Sequence, residues 1–238
     1  MKCLIAAAGQ GTRLRARGES KPLIHLRQRP LIEHVIERAC RAGVSDFYVV
    51  SGYRGEQLRA ALASVPARFG VRMTHIVNDE WDRANGVSVA KAAPHIEPPF
   101  ILTMCDHLVD PAIFRTLASA DIGSDEVGLG VDFNVDSPLN DPDDVTRVKC
   151  TDGRIENIGK VIREFNAVDT GVFWCSGAMF EALAESQAAG DDSISGGMKV
   201  LARRGKARAV DIGDRVWIDV DDPAAFEKAE RLIDDGRL

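Results

Sequence analysis

The stretch from residue 2 to residue 23 constrains the fold of this chain more than any other. Residues 2–8 form a short apolar run ending in three alanines, which is typical of a strand buried on both faces. The turn 9–11 (Gly-Gln-Gly) follows, and its two glycines let backbone N–H groups approach a ligand closely. Arg13 and Lys21 then add positive charge. Amide donors beside forked and mobile cations suit a polyphosphate, so this stretch predicts a nucleoside triphosphate site.

Two commoner glycine motifs do not fit the same turn. The Walker pattern is absent because Thr12 follows Gly11 and no Lys-Ser/Thr pair is nearby. The dinucleotide pattern fails because Leu14 stands where its third glycine should be. An ordinary strand-to-helix turn with solvent-exposed arginines is the alternative interpretation of the turn taken alone.

Composition excludes several classes of function. The chain has 238 residues, 45% of them apolar and 28% charged, which is ordinary for a globular protein with a sizeable core. Its 30 basic and 36 acidic side chains give a net charge of −6, which argues against sequence-independent binding to nucleic acid. No run approaches the ~20 apolar residues of a membrane span, so we expect no membrane insertion and a cytoplasmic protein. The five cysteines have no zinc-like spacing and are expected to be reduced.

Strands and helices alternate along the chain. Apolar runs predict strands at 2–8, 46–51, 71–77, 100–105 and 126–133, and helical spacing predicts helices at 30–40 and 57–65. This order predicts an α/β fold with a mostly parallel sheet, whose ligands bind beyond the C-terminal strand ends. A hairpin at 146–158 reads as an antiparallel insertion beside the sheet, covering an acceptor pocket.

Polar residues follow these strands where a ligand would bind. Asn85 in loop 78–88 could cap the next helix or recognise a base, and we favour base recognition. Asp106 ends the fourth strand, where helix capping is already served by Asp110. His107 could support a metal ligand or contact the substrate, and we favour its interpretation as a surface residue. The acidic loop 134–144 lacks the spacing of an EF-hand and is expected to be solvated and mobile.

Several strings together resemble one family. The run A-A-G-Q-G-T-R-L with K-P-L at 21–23, and W-I-D-V-D-D-P at 217–223, resemble the signatures of the sugar-1-phosphate nucleotidyltransferases. Molybdopterin guanylyltransferases share that fold but usually have A-G-G-x-S-x-R-M-G, which this chain fits less well. The runs 102–111 and 166–173 look most like the inositol-1-phosphate cytidylyltransferases. The resemblance implies a single Rossmann-like domain over 1–238 of the GT-A/nucleotidyltransferase type, with an NTP-binding half (1–110) and an acceptor-binding half (111–238).

The resemblance also implies a role for each candidate residue. The nucleotide would be bound by Ala7, Ala8, Gly9, Gly11, Thr12, Asn78, Asn85, Gly86 and Ser88. The catalytic cations would be Arg13, Lys21 and Lys160, and the acceptor would be bound by Lys160 and Asp169. Magnesium (Mg²⁺) would be held by Asp106 and Asp219, with Asp221 structural. From the residues alone, Lys160 could also be an ordinary surface lysine.

The implied reaction joins CTP to a small phosphorylated polyol, with inositol 1-phosphate as the best match. A hexose 1-phosphate or phosphocholine with another NTP is the alternative, and only 14 aromatic residues (nine Phe, three Trp, two Tyr) argue weakly against a choline cage. A non-catalytic nucleotide-binding module is the alternative of another class. It would be expected to lack Lys21, Asp106 or Asp219, and all three are present. The resemblance implies a separate membrane CDP-alcohol phosphotransferase as a functional partner. The sequence does not indicate whether the protein is a monomer or an oligomer.

Overall fold

One nine-stranded mixed sheet runs through the protein, whose computed structural model describes all residues from Met1 to Leu238. Two further pairs of short strands form separate ribbons. In chain order the strands are β1 (Lys2–Ala7), β2 (His25–Leu26), β3 (Arg29–Pro30), β4 (Asp46–Ser51), β5 (Arg72–Val77), β6 (Phe100–Met104), β7 (His107–Val109), β8 (Val127–Asp132), β9 (Arg147–Thr151), β10 (Arg154–Gly159), β11 (Ala167–Cys175), β12 (Ala207–Asp211) and β13 (Trp217–Asp219).

Eight α-helices and two short 3₁₀ helices connect the strands. The 3₁₀ helices are Thr12–Arg17 and Lys21–Leu23. The α-helices are α1 (Leu31–Arg41), α2 (Gly55–Ala61), α3 (Val65–Phe69), α4 (Asn85–Lys91), α5 (Pro111–Ser119), α6 (Ala178–Ala188), α7 (Ile194–Arg203) and α8 (Pro223–Asp234). None of them combines the length and apolar composition needed to cross a bilayer.

The strand order places the N-terminal strand in the middle of the sheet. The order is β5-β4-β1-β6-β11-β8-β12-β10-β9. Strand β1 is parallel to both β4 and β6, and β11 is antiparallel to β6 and β8. Because β1, β4 and β6 run the same way, their C-terminal ends meet at one edge, where ligands of such sheets bind.

Helices cover both faces of the sheet, so its central strands β1, β6, β8 and β11 are buried on both sides. On one face Leu31, Phe114 and Phe226 from α1, α5 and α8 join a core cluster of 33 buried residues. On the other, Met179 and Met198 from α6 and α7 join a cluster of 27. This burial explains why β1 reads as an uninterrupted apolar run.

The predicted α/β sheet with its antiparallel hairpin is confirmed, and two local predictions are wrong. The helix expected at 57–65 is divided between α2 and α3, because Pro66 lies in the first turn of α3 and cannot continue a preceding helix. The hairpin β9–β10 does not lie beside the sheet. It completes one edge, where β10 pairs with β12 and β9 also pairs with β11.

Candidate active site

A cavity of about 550 Å³ opens where the ends of β1 and β6 meet. It is lined by residues from both ends of the chain, including most of those singled out in the sequence. The predicted residues that line it are Ala8, Gly9, Gly11, Lys21, Asn85, Ser88, Asp106, Lys160, Asp169 and Asp219. Those outside its lining are Ala7, Thr12, Arg13, Asn78 and Gly86.

The glycine turn brings Lys21 into the cavity wall. Gly11 has a φ of 62°, and a Cβ there would lie 2.3 Å from Cβ of Lys21. A side chain at position 11 is therefore excluded both by the backbone and by the lysine packed against it. Lys21 itself is only 5% exposed, so its ammonium must find partners within the site.

Lys21 finds those partners in two carboxylates. Its Nζ donates to Asp106 Oδ2 and to Asp221 Oδ1. Burial disfavours the charged form of Asp106, but the positive charges of Lys21 and His107 outweigh it and hold the pKa of Asp106 below its usual range. Burial likewise opposes the charge on Lys21, and Asp106 and Asp219 outweigh it to raise the lysine pKa. Asp221, expected to be structural, thus lies inside the site.

His107 lies in the interior of the site and is not a surface residue, so that interpretation is wrong. Its Nδ1 lies 2.7 Å from Asp106 Oδ1 and 3.7 Å from Asp219 Oδ1. Its ring stacks on Trp217 with centroids 6.4 Å apart. Burial lowers its pKa, but Asp219 and Asp106 outweigh that effect and raise the pKa to about 9. Gly171 lies against the ring, where a Cβ would come within 2.2 Å of it.

The ribbon β7–β13 brings Asp219 to Asp106 across more than a hundred residues of chain. Asp219 pairs with His107 in the antiparallel register, next to Asp106. Asp219 Oδ1 is buried and has no hydrogen-bond partner. Ligand atoms of Asp106, His107 and Asp219 lie within 4.8 Å of one another. Two carboxylates with one unsatisfied oxygen fit a hard divalent cation, for which oxygen is the preferred ligand.

Loop 134–144 contributes a carboxylate that sequence reasoning missed. Asp144 Oδ2 accepts from Arg13 at 2.7 Å, and its Oδ1 accepts from Lys160. Arg13 also pairs with Asp221. The end of this loop, expected to be solvated, therefore borders the cavity. Asp144 links Arg13, which follows the glycine turn, to Lys160, which follows the hairpin. Nothing in the spacing of the acidic residues singles out Asp144.

Asp169 lies in β11 and lines the cavity. Its Oδ1 accepts from the backbone N–H of Gly171 at 2.7 Å. Burial raises its pKa to about 6, while the Gly171 N–H and His107 oppose that rise. Asp169 is therefore largely ionised at neutral pH and presents a hydrogen-bond acceptor to the cavity.

Three polar residues of the loop 78–88, Asn78, Asn85 and Ser88, are held by neutral hydrogen bonds. Asn78 is buried, and its amide nitrogen donates to Ser88 Oγ at 3.0 Å. Asn85 does not cap α4, because it is the first residue of that helix and its Oδ1 instead accepts from the backbone N–H of Ile194 at 3.0 Å. Gly86 lies against the α6–α7 connection, where a Cβ would be 2.4 Å from the carbonyl oxygen of Asp192.

Comparison with known proteins defines the class to which this fold and cavity belong. The model of the MobA-like NTP transferase domain matches residues 3–207, so the chain belongs to that family. Among curated relatives, a bifunctional IPC transferase and DIPP synthase from Rubrobacter xylanophilus is 32% identical over 96% of this chain, and one from Aquifex aeolicus is 28% identical over 97%. The chain spans about half the length of these relatives, 51% of each.

Solved structures give the same fold. The inositol-1-phosphate CTP transferase from T. maritima has a TM-score of 0.86 and 26% sequence identity, with 98% of this chain and 94% of that chain covered. A putative glucose-1-phosphate thymidylyltransferase from Bacillus anthracis has a TM-score of 0.80 over the same shares of each chain at 17% identity, which is a likeness of fold alone.

Proposed function

We propose that this protein transfers CMP from CTP to inositol 1-phosphate, giving CDP-inositol and pyrophosphate. One observation carries the proposal: a single cavity gathers two carboxylates fit for a metal, a glycine turn with its lysine, and a second lysine from the hairpin. The names of the relatives and of the T. maritima structure support the choice of inositol 1-phosphate and CTP over other pairs.

Asp106 and Asp219 would hold a divalent cation, with Mg²⁺ as our proposal. When bound, the cation would neutralise charge on the triphosphate and on the departing pyrophosphate. The chain's own cations serve the same electrostatic purpose. Lys21 pairs with Asp106, which would hold the cation, and Arg13 pairs with Asp221, which lines the cavity, so both cations are placed to pair with phosphate oxygens.

The reaction needs positioning more than proton transfer. The second pKa of a phosphate monoester is roughly 6, so the acceptor is largely dianionic at neutral pH and needs no general base. One of its oxygens attacks the α-phosphorus of CTP, and the bond from that phosphorus to pyrophosphate breaks in line. Lys160 would hold the acceptor phosphate. Its present partner, Asp144, is 27% exposed and can release it to a dianion.

Asp169 would orient the acceptor by accepting hydrogen bonds from polyol hydroxyls. Its carboxylate borders the cavity and has one oxygen committed to Gly171. A neutral polyol carries several hydroxyl donors and suits such an acceptor. We also propose that residues 1–110 serve mainly the nucleotide and residues 111–238 mainly the acceptor. Consumption of CDP-inositol by a membrane CDP-alcohol phosphotransferase is part of the same proposal.

The test is pyrophosphate release with each of the four NTPs, with Mg²⁺ and a panel of inositol 1-phosphate, glucose 1-phosphate and phosphocholine. We expect release with CTP and inositol 1-phosphate at a kcat/KM at least about 100-fold above any other pair. Preference for a hexose phosphate or phosphocholine would replace the acceptor named here. Nucleotide binding without release for any pair would favour a non-catalytic module.

A further inference from the structure

Asp144 forms a bridge between two cations that belong to different parts of the cavity. Its Oδ2 accepts from Arg13 Nη1 at 2.7 Å, and its Oδ1 accepts from Lys160 Nζ. Arg13 follows the glycine turn near the start of the chain, whereas Lys160 follows the hairpin. The two oxygens of one carboxylate are therefore each bound to a different cation.

These two cations are the only groups that hold the carboxylate. The protein donates no further hydrogen bond to either oxygen, and 27% of the Asp144 side chain is exposed. The turn that carries it is closed by backbone bonds, because the N–H groups of Asp144 and Val145 donate to the carbonyl oxygen of Asp141 at 3.2 and 2.9 Å. The side chain can therefore rotate away from both cations while the backbone turn stays intact.

The loop around Asp144 is anchored by contacts that do not involve its side chain. Arg147 donates to the carbonyl oxygen of Pro142 at 3.3 Å. Lys228 in α8 donates to the carbonyl oxygen of Pro138 at 2.7 Å. The loop therefore keeps Asp144 close to both cations, so its carboxylate is an intramolecular ligand of high effective concentration.

A substrate phosphate and the Asp144 carboxylate compete for the same donors. Under the proposed function, Arg13 pairs with the triphosphate of the nucleotide and Lys160 pairs with the acceptor phosphate. A phosphate oxygen bound to Arg13 Nη1 takes the place of Asp144 Oδ2, and its negative charge repels the carboxylate. Both cations are partly exposed, at 47% for Arg13 and 54% for Lys160, so these ion pairs are weak enough to exchange for a more highly charged phosphate.

We infer that Asp144 links the two substrate sites, because a phosphate that displaces the carboxylate from either cation frees both. The cost of breaking the bridge then falls on whichever phosphate binds first, and the second phosphate finds its cation already free. The effect is reciprocal, so each substrate favours the binding of the other by the same factor. This inference deepens the function proposed above and rests on it for the assignment of Arg13 to the nucleotide and Lys160 to the acceptor.

The test uses calorimetry with inorganic triphosphate and inositol 1-phosphate, each alone and each with the other saturating, in the presence of Mg²⁺. Asp144→Asn removes the charge and keeps the shape of the side chain. We expect each ligand alone to bind about 5-fold more tightly to Asp144→Asn than to the wild-type protein, because no bridge has to be broken. With triphosphate saturating, the inositol 1-phosphate constants of the two proteins should agree within about 2-fold, because the bridge is then absent from both.

Asp143→Asn is the matched control, because it removes the same charge one residue away, at an exposed position outside the cavity lining. Its dissociation constants should equal those of the wild-type protein, and an equal gain in both variants would reduce the effect to net charge and overturn the inference. Unchanged affinities in Asp144→Asn, or a gain for inositol 1-phosphate that persists in full with triphosphate saturating, would also overturn it.

Weaker triphosphate binding in Asp144→Asn would overturn the inference in favour of a metal ligand, since ligand oxygens of Asp144, Asp219 and Asp221 lie within 4.8 Å of one another. Melting temperatures establish that each variant is folded, and Asp144→Ser, which also lacks the charge, decides if Asp144→Asn is not. Binding is measured without turnover. Absence of transfer with the expected constants would therefore count against the proposed function only, and transfer with unchanged constants in Asp144→Asn would count against the link only.

Discussion

The two ends of the cavity are built from different physical interactions. At the phosphate end, Lys21, Asp106 and Asp221 form buried or half-buried ion pairs, and Arg13 and Asp144 extend them. At the base end, Asn78, Asn85 and Ser88 are neutral and are oriented by backbone N–H groups. On the proposed function, the charges of the first end would change partners when phosphates bind, whereas the dipoles of the second end are already oriented by the protein.

The two kinds of interaction suit two different tasks within one cavity. Charged pairs in a poorly solvated site are strong and can exchange partners, which suits the neutralisation of a triphosphate. Fixed neutral donors give little attraction but penalise a wrong base heavily. We therefore expect changes at the phosphate end to alter turnover, and changes at the base end to alter nucleotide choice and KM.

The largest effect is expected from Asp106→Asn. The change removes the negative charge that pairs with Lys21 and that would hold the metal, so we expect kcat to fall about 10³-fold or more, with CTP:UTP discrimination in binding preserved. Steady-state pyrophosphate release and calorimetry measure the two quantities. Asp125→Asn, at an exposed ion pair with Lys206, is the control. A nearly active Asp106→Asn enzyme would remove the metal assignment and the comparison with it.

A smaller effect, on nucleotide binding and not on turnover, is expected from Gly86→Ala. A Cβ there would lie 2.4 Å from the carbonyl oxygen of Asp192 and 2.8 Å from the carbonyl carbon of Ser193, so the base loop must shift. We expect the free energy of unfolding to fall by about 1–3 kcal/mol and KM for CTP to rise about 10-fold. Binding of inorganic triphosphate with Mg²⁺ should stay unchanged. Gly177→Ala, where the nearest atom to a Cβ is 3.8 Å away, is the control. A loss of triphosphate binding in Gly86→Ala would mean that the two ends are coupled.

Asp169→Asn is expected to stabilise the protein while weakening acceptor binding. The folded-state pKa of Asp169 is raised to about 6, so the folded state holds the proton more tightly than the unfolded chain, and ionisation costs stability as pH rises through that range. Asparagine avoids the cost, so we expect a gain of about 1–3 kcal/mol at pH 7–8 that disappears near pH 4. KM for inositol 1-phosphate should rise in the same variant. Denaturant unfolding at several pH values measures the first effect, and a variant no more stable than wild type at pH 8 would contradict the assignment.

The smallest effect is expected from salt. Raising NaCl from about 0.05 to 0.5 M shortens the screening length from roughly 14 to 4 Å and weakens phosphate contacts to partly exposed cations such as Arg13. We expect the dissociation constant of CTP to rise a few-fold, while the ratio of the CTP and UTP constants stays constant. Titration calorimetry at both salt concentrations tests this. A ratio that changed with salt would show that base choice depends on charge.

The fold could be predicted from the sequence where a buried segment appears as a continuous run of apolar residues. Strands β1, β4 and β6 lie between helices on both faces, so each appears as a largely apolar run with clear ends. The split between α2 and α3 was missed because helical periodicity continues across it. The place of the hairpin was missed because pairing of β9 with β11 is decided by distant segments.

The residues along the chain predict a nucleotide site after the first strand, and the family resemblance adds Lys21, Asp106 and Asp219 through short strings of neighbouring residues. The pairing of Asp144 with Arg13 across 131 positions, and the hydrogen bond from Ile194 to Asn85 across 109, become visible in the folded chain. A turn or a strand end is a local property, whereas the partner of a charge or a dipole depends on which distant segments the packed core brings together.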